Sequence, residues 1–360
     1  MSEDKFHVGV VLGGKNSDNH RSCRAAGDII TTLQGKDYTV SAFGVTLEGQ
    51  WVLFSDLTAL SKTLETWPFE LTNQSASEIK GALVSQIVPK EIFEIDIAFL
   101  TLSGVPGIEG SVQGLFESHG VRVVGSDVIA SAICADKSTL KMLLRGLEIP
   151  TPYHIVIPNK YWMRDPFTQA TRAASVLFPQ IIKPARGSNG LGITMIKYPV
   201  DFKNAMEVAR NFDARVIVEK FQEKARYLEC SVLEDGQRQV YISTILETKL
   251  KNGTDLLNYV SRMDSDNYEH IFPSDLSEEV VTKIKDYAEQ VFEATKSSAY
   301  LQVKFVINQE NELMVLGATN HPYLGKDGTF AKVWLESGLE YEDFIDSSIA
   351  EGLNRPAGLD

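Results

Sequence analysis

The stretch Ile181–Ile193 reads IIKPARGSNGLGI, and its order of elements decides the class of fold. A short apolar strand, Gln180–Lys183, delivers Lys183 at its end, a glycine-rich loop follows, and Gly192–Lys197 returns as a second strand. Strand, glycine loop, strand is a hairpin and not a turn into a helix, and the dinucleotide pattern G-x-G-x-x-G is absent. Glycines let a backbone approach phosphate oxygens and point its N–H groups at them. Lys183 is placed to pair with such a phosphate. A flexible hairpin with an exposed lysine accounts for the same residues, and the stretch by itself leaves both readings open.

Upstream, FHVGVVL at Phe6–Leu12 ends in Gly13-Gly14, as a strand buried on both faces should. Helical spacing over Ser22–Leu33, strand-like runs at Tyr38–Thr46 and Ile95–Leu102, a short helix between Gly110 and Ser118, and a strand in Val121–Ser126 follow. This alternation predicts a doubly wound α/β lobe over residues 1–126. Ligands of such sheets sit beyond the carboxyl ends of the strands, where Gly13-Gly14 and Ser103-Gly104 fall. From Asp127 the pattern changes. A helix over Asp136–Leu147, stopped by IPTP at Ile149–Pro152, opens a central α+β lobe spanning 127–215.

Arg215–Phe221 (RVIVEKF) is a strand predicted to cross into the last lobe, 216–360. That lobe holds strands at Arg226–Leu233 and Gln239–Thr248, then a polar loop at Asp255–Tyr268. A helix over Leu276–Thr295, with Ser274 or Asp275 as its cap, comes next. Two alternating runs, Ala299–Asn308 and Glu312–Ala318, close the pattern around Gln309-Glu310-Asn311. There is no internal repeat or low-complexity segment.

Hydrophobic residues make up 43% and charged ones 23%, the balance of a soluble globular chain, and 360 residues suffice for several cores. The charged start Met-Ser-Glu-Asp-Lys does not read as a signal peptide, and no apolar run is long enough to span a membrane. Cys23, Cys134 and Cys230 suggest neither a disulfide framework nor a metal spacing, so a reducing cytoplasm is the expected compartment. A formal net charge of −13 argues against nucleic acid or an anionic membrane as partner.

Two further places could meet a nucleotide. Lys137 opens a helix, where a cation opposes the dipole and needs a partner: an anionic ligand, or Asp136 or another carboxylate nearby. Glu219-Lys220-Phe221-Gln222 ends an apolar strand. Its backbone could read an adenine edge while Glu219 accepts the exocyclic amine, or it is a solvated strand end.

Taken in order, these pieces resemble the D-alanine–D-alanine ligases of the ATP-grasp superfamily. The matching segments are VVLGGKNSDNHRS (Val10–Ser22), GVPGIEGSVQGLFE (Gly104–Glu117), VRVVGSDVIASAICADK (Val121–Lys137), IIKPARGSNGLGI (Ile181–Ile193) and VIVEKF (Val216–Phe221). VLGATNHP (Val315–Pro322) and GLEYEDFID (Gly338–Asp346) complete them. The resemblance implies an ATP-grasp fold: an N-terminal α/β lobe and two α+β lobes with ATP clamped between them. It implies that Lys137 and Lys183 meet ATP phosphates, with Ser188, Asn189 and Gly190 in the covering loop, and that Glu219, Lys220, Phe221 and Gln222 take the adenine. A homodimer and a small carboxylate or amino-acid ligand are implied in the same way.

The family binds Mg²⁺ with an Asp on the first strand of the last hairpin and a Glu and an Asn on the second; here Lys304, Gly317 and Thr319 stand at those places. An Arg of the family is Gln302. Period-two geometry puts Gln302 and Lys304 on one face and Leu301, Val303, Phe305 and Ile307 on the apolar one. Asp18 and Asn19 replace the family's N-terminal Glu and His, Ser103 its His, Ile108 the first acid of its acidic pair, Asn189-Gly190 its Ser pair, and Tyr227 its ribose acid. Glu310, Glu312 and Asp327 read as solvated carboxylates rather than a rebuilt metal site, and His321 as a structural histidine. The catalytic candidates left are Asp18, Ser22, Glu109 and Lys304. The expectation is a nucleotide-binding protein in which Mg²⁺ is doubtful and normal ligation lost, with an active carboxylate–amine ligase of altered substrates as the alternative.

Overall fold

Strands buried on both faces need helices on both sides, and the N-terminal third supplies them. The computed structural model describes residues 5–66, 68–85, 88–253, 255–262 and 264–355; the charged start, Met1 to Asp4, lies outside them. The first sheet contains β1 (His7–Gly13), β2 (Thr39–Val45), β3 (Trp51–Phe54), β4 (Ala82–Ser85), β5 (Ile97–Leu100) and β6 (Arg122–Val124), in the order β4-β3-β2-β1-β5-β6. β2, β1, β5 and β6 run parallel, and β3 and β4 add an antiparallel edge. Val8, Val10 and Leu12 of β1 pack against Ala26, Ile29, Ile30 and Leu33 of the helix Asn19–Gln34. Val11 faces Phe43 and Phe116 on the other side. The sheet grows one way from β1 to β2 and the other way to β5, so the carboxyl ends of β1 and β5 flank a crevice.

The second sheet contains β7 (His154–Pro158), β8 (Gln180–Pro184), β9 (Thr194–Ile196) and β10 (Arg215–Lys220), all antiparallel in the order β7-β10-β8-β9. β8 and β9 form the hairpin that the glycine stretch requires. β10 corrects an expectation: it pairs with β7 and β8 and does not cross into the last sheet. Val216 and Val218 bury one face against Phe202, Ala205, Met206 and Ala209 of the helix Phe202–Arg210, which holds the strand where it is. The opposite face carries Lys183 and Glu219.

The third sheet contains β11 (Arg226–Glu234), β12 (Val240–Ile242), β13 (Leu246–Leu250), β14 (Tyr268–Ile271), β15 (Tyr300–Ile307) and β16 (Leu313–Thr319). Leu301, Val303, Phe305 and Ile307 of β15 pack on Ile284, Ala288, Val291 and Phe292 of the helix Glu278–Thr295. Two expectations change here. The run Gln239–Thr248 breaks into β12 and β13 because Ser243 Oγ takes the Ser231 N–H at 2.9 Å and Ser337 Oγ takes the Thr244 N–H at 2.8 Å. The helix cap is Ser277, which accepts from the Val280 N–H, while Asp275 pairs with Arg226 at 2.8 Å instead. Phe344, Ile345 and Ile349 of the last helix, Tyr341–Asn354, join the core under β1, so the first and last sheets share one core.

Candidate functional site

The glycine loop is fastened across the crevice of the first sheet. Asp18 follows the Gly13-Gly14 turn and is almost completely buried. Its carboxylate accepts from Ser188 Oγ and, at 2.5 Å, from Asn189 Nδ2. Asn189 has a left-handed backbone (φ 49°), a conformation that asparagine tolerates better than most side chains. Gly190 is needed for a different reason: a Cβ there would lie 2.8 Å from the Asn258 carbonyl carbon. The Gly190 carbonyl accepts from the Tyr259 N–H at 3.2 Å, which seats the short helix Tyr259–Arg262 on the loop.

Beneath the loop lies a buried charge cluster. β8 and β10 set Lys183 opposite Ile217, which places Lys183 and Glu219 on one face. The Glu219 carboxylate sits 2.8 Å from the ammonium of Lys183 and 2.8 Å from that of Lys141. Burial works to raise the Glu219 pKa, but the two lysines outweigh it and hold the carboxyl down to about 2. Lys141 also donates to Thr151 Oγ1 at 2.7 Å. Glu219 therefore does not stand free for an exocyclic amine: both of its oxygens are committed to lysines. Lys220 and Phe221 spend their N–H groups on the Tyr153 and Pro179 carbonyls, each at 2.9 Å, and Gln222 Nε2 donates to the Lys220 carbonyl at 3.3 Å.

Lys137 does not pair with Asp136 or with another carboxylate among the described residues. Its ammonium donates to the Gly187 carbonyl at 2.8 Å and points at the Ala185 carbonyl at 3.5 Å. Asp136 is occupied elsewhere: it caps the helix Lys137–Gly146 through the Ser138 and Thr139 N–H groups and pairs with Arg215. Burial, and after it the charge of Lys183, pushes the Lys137 ammonium down to about 8. The charge of Lys304 bears on it as well.

Lys304 stands on β15 opposite Gly317 of β16 and opposite Glu229 of β11, with Gln302 opposite Thr319. The apolar face is as the alternation requires. On the other face the Lys304 side chain is exposed, yet protein crowds it on several sides. That crowding, the charge of Arg262 and, against the pull of Glu229, the charge of Arg21 bring its pKa down to about 8. Glu229 is mostly buried and accepts from Gln302 Nε2 at 3.1 Å, and Gln302 also reaches Thr329 Oγ1 at 3.2 Å. A Cβ on Gly317 would meet nothing within 4 Å, so the space beside Lys304 is open.

The other candidates separate. Glu109 accepts from Ser111 Oγ at 2.6 Å with one oxygen, and its second oxygen is buried without a hydrogen-bond partner. Its charge bears on Arg186 beside the glycine loop. Ser22 is not brought into the cleft. Its fully buried hydroxyl accepts from the Gly13 N–H at 2.8 Å and meets Thr101 Oγ1 at 3.2 Å, bracing the turn. Asn19 is likewise buried, tying the Gly14 carbonyl and the Leu71 N–H together at 2.9 and 2.7 Å. His321 Nε2 lies 3.0 Å from both Gln113 Nε2 and Ser131 Oγ, and burial pushes its pKa down to about 4, so it serves as a neutral acceptor.

This arrangement, with two lysines under a glycine loop, a strand-end acid and a final hairpin, is matched end to end. Residues 7–126 match the family model described as D-ala D-ala ligase N-terminus, and residues 143–350 the one described as D-ala D-ala ligase C-terminus. The chain belongs to the D-ala D-ala ligase family. It is 28% identical over 369 residues to the D-alanine–D-alanine ligase of Pseudarthrobacter chlorophenolicus, covering 99% of this chain and 96% of that one. To that of Kineococcus radiotolerans it is 29% identical over 375 residues, covering 99% of each. Among solved structures, the D-alanine–D-alanine ligase from Coxiella burnetii superposes with a TM-score of 0.78 at 21% identity, over 98% of this chain and 95% of that one. The VanG D-Ala:D-Ser ligase from Enterococcus faecalis gives 0.79 at 20%, over 98% and 100%. The fold is therefore the ATP-grasp fold, and the chain is a D-alanine–D-alanine ligase-like member of it. No helix among the described residues is long and apolar enough to cross a membrane.

For a D-ala D-ala ligase family member, three basic residues of this cleft were not singled out by sequence reasoning. Lys141 had a signal, since it lies four residues after Lys137 and so shares its helix face. Arg21 and Arg262 had none, because their convergence depends on loops from different sheets.

Proposed function

We propose that this chain is a nucleotide-binding ATP-grasp protein that does not perform metal-assisted ligation, and that it acts through binding, regulation or assembly with a partner. Lys304 carries the reading. An ammonium stands, with no ion pair among the described residues, on the hairpin face where a ligase of this family needs carboxylates. Mg²⁺ takes oxygen ligands in a near-octahedral shell. Gln302, Lys304, Gly317 and Thr319 offer it no carboxylate, and Glu229 is held by Gln302. Among the described residues no three His, Cys, Asp or Glu side chains are grouped to hold a metal. The residues present do not fit the ion.

ATP fits better. Lys137 and Lys183 would pair with its phosphates beneath the Ser188–Gly192 loop, and bound ATP would supply an activated phosphoryl group. In this chain Lys137 and Lys183 would face the phosphates, Asp18 fastens the loop, and the backbone of the 219–222 strand end would face the base, with Gln222 Nε2 resting on the Lys220 carbonyl. Calorimetry with ATP, with and without Mg²⁺, tests the reading. The expected result is binding in EDTA that Mg²⁺ leaves unchanged or weakens, and that Lys183→Ala removes. Turnover of ATP with Mg²⁺ and any pair of amino acids, abolished by Lys183→Ala, would sink it.

One observation favours the second reading, an active carboxylate–amine ligase with altered substrates and metal site: the likeness to curated ligases runs over 99% of the chain. Under that reading Mg²⁺ tightens ATP binding, and the unpartnered oxygen of Glu109 faces a substrate. D-alanine is not favoured as that substrate, since Asp18, Asn19, Ser103 and Ile108 all depart from the family's pattern.

A further inference from the structure

Besides Lys137, whose ammonium meets only carbonyls, three cations of this cleft form no ion pair among the described residues. Lys183, Arg186, Arg215 and Arg226 each hold a carboxylate, those of Glu219, Asp213, Asp136 and Glu247. Arg21, Arg262 and Lys304 form no ion pair among the described residues. Like charges brought together raise one another's energy, and a chain of net charge −13 has acids to spare for them. One acid, Glu229, lies close enough for its charge to bear on Lys304 and Arg262, but it forms no ion pair with either.

Each cation is positioned by a different element. Arg21 leaves the first turn of the helix Asn19–Gln34, and its guanidinium carbon lies 4.4 Å from the centre of the Tyr323 ring. An aromatic face holds an arginine in place without neutralising it. Arg262 ends the short helix seated on Gly190, and its side chain is exposed. Lys304 projects from β15, and the one acid across from it, Glu229, is turned to the Gln302 amide at 3.1 Å. Asp18, through Ser188 and Asn189, fastens the glycine loop on which the helix bearing Arg262 is seated, so these hydrogen bonds link the elements that carry Arg21 and Arg262. The charges of Arg21 and Arg262 both bear on Lys304, and that of Lys304 bears on Lys137. The cluster thus continues the row that begins at Lys183 and Lys137. His270 faces it too, its Nδ1 3.1 Å from Thr248 Oγ1. Burial, Lys332, Arg262 and Lys304 push its pKa down to about 4, so it adds neither charge nor acid.

We propose that Arg21, Arg262 and Lys304 form a metal-independent receptor for a dianionic phosphate group, the terminal phosphate of the nucleotide whose inner phosphates meet Lys137 and Lys183. The inference rests on the nucleotide reading above. Two guanidiniums and an ammonium match a terminal phosphate, which has two charges and three outer oxygens, better than a singly charged carboxylate. The same chemistry would accept a free polyphosphate, and the test separates the two.

Calorimetry in EDTA with ATP, ADP, AMP and inorganic tripolyphosphate is run on the wild type, Arg21→Gln and Arg262→Gln. ATP is expected to bind more tightly than ADP. Each variant is expected to weaken ATP and tripolyphosphate by about tenfold, as loss of a charge-assisted hydrogen bond does, and to leave AMP nearly unchanged. Arg262→Gln alters an exposed side chain, so it keeps the test valid should Arg21→Gln loosen the Tyr323 contact; thermal unfolding midpoints check both. Equal affinity for ATP and ADP in EDTA, or no loss in either folded variant, overturns the receptor while metal-free nucleotide binding still stands. Tripolyphosphate binding that both variants weaken, with no nucleotide bound at all, supports the receptor with free polyphosphate as its ligand and removes the nucleotide reading.

Discussion

Lys141 and Lys183 share one carboxylate, 2.8 Å from each ammonium, and all three groups are buried. A short way along the same cleft, Arg21, Arg262 and Lys304 have no ion-pair partner among the described residues, and Arg262 and Lys304 keep part of their side chains in contact with solvent although the surrounding protein lowers the pKa of both. The difference follows from desolvation. A charge removed from water must be paired, or it costs several kcal/mol. A charge left in contact with water can remain unpaired and available to an incoming anion. The first group is therefore part of the framework, and the second is free to act on a ligand.

That contrast can be broken from either side. The largest effect is expected from Glu219→Ala, which leaves two buried ammoniums unpaired and should cost about 3–5 kcal/mol of stability, read by denaturant unfolding. The wild-type contribution is tied to pH. The folded-state pKa of Glu219 lies below its ordinary 4.5, so its share of stability is present above 4.5 and is lost as pH falls towards about 2. An acid-unfolding curve in which Glu219→Gln lacks this component checks the sign.

Next in size is the reversal of the metal effect. Lys304→Asp, Gly317→Glu and Thr319→Asn together introduce two carboxylates and an amide where Gly317 leaves open space. Magnesium is then expected to tighten ATP binding by about tenfold, or 1.4 kcal/mol, in place of weakening it, as calorimetry would show. If magnesium has the same effect on both proteins, the wild-type hairpin was not what excluded it. A smaller effect is expected from Asp18→Asn, which weakens the acceptor for Ser188 and Asn189. A loss of about 1 kcal/mol, seen as faster hydrogen exchange in the 186–192 loop, is the expected outcome. The smallest is the pH dependence of ATP affinity. The Lys137 ammonium, at about 8, loses its charge as pH rises through that value, so affinity should fall several-fold from pH 7 to 9. Lys137→Arg should remove part of this dependence, the rest belonging to Lys304, which also lies at about 8.

Much of this was legible in residues 181–193 and in the period-two runs. The glycine hairpin, the parallel β1 and the two faces of β15 follow from local rules that a short window contains. The errors have a common source. β10 was assigned across the boundary because its apolar residues suit either sheet, and only Met206 and its neighbours decide which. Ser277 outcompetes Ser274 and Asp275 as the cap because Arg226, far away in sequence, takes Asp275. Ser22 is a catalytic candidate by sequence, yet its hydroxyl is spent bracing the Gly-Gly turn, as is the amide of Asn19.

The sequence by itself determined the fold class, the family resemblance and the absence of carboxylates at 304, 317 and 319, because each depends on residue type at a known spacing. Only the tertiary structure decided which charges are satisfied. Pairing depends on distances of a few ångströms between elements that lie far apart along the chain, as Glu219 with Lys141, Asp18 with Ser188 and Arg21 with Tyr323 all show. Lys183, a phosphate contact by its place at a strand end, is also one of three members of a buried charge cluster with Glu219 and Lys141. Lys304 was read as a missing metal ligand, and it stands in a group of cations that no local pattern predicted.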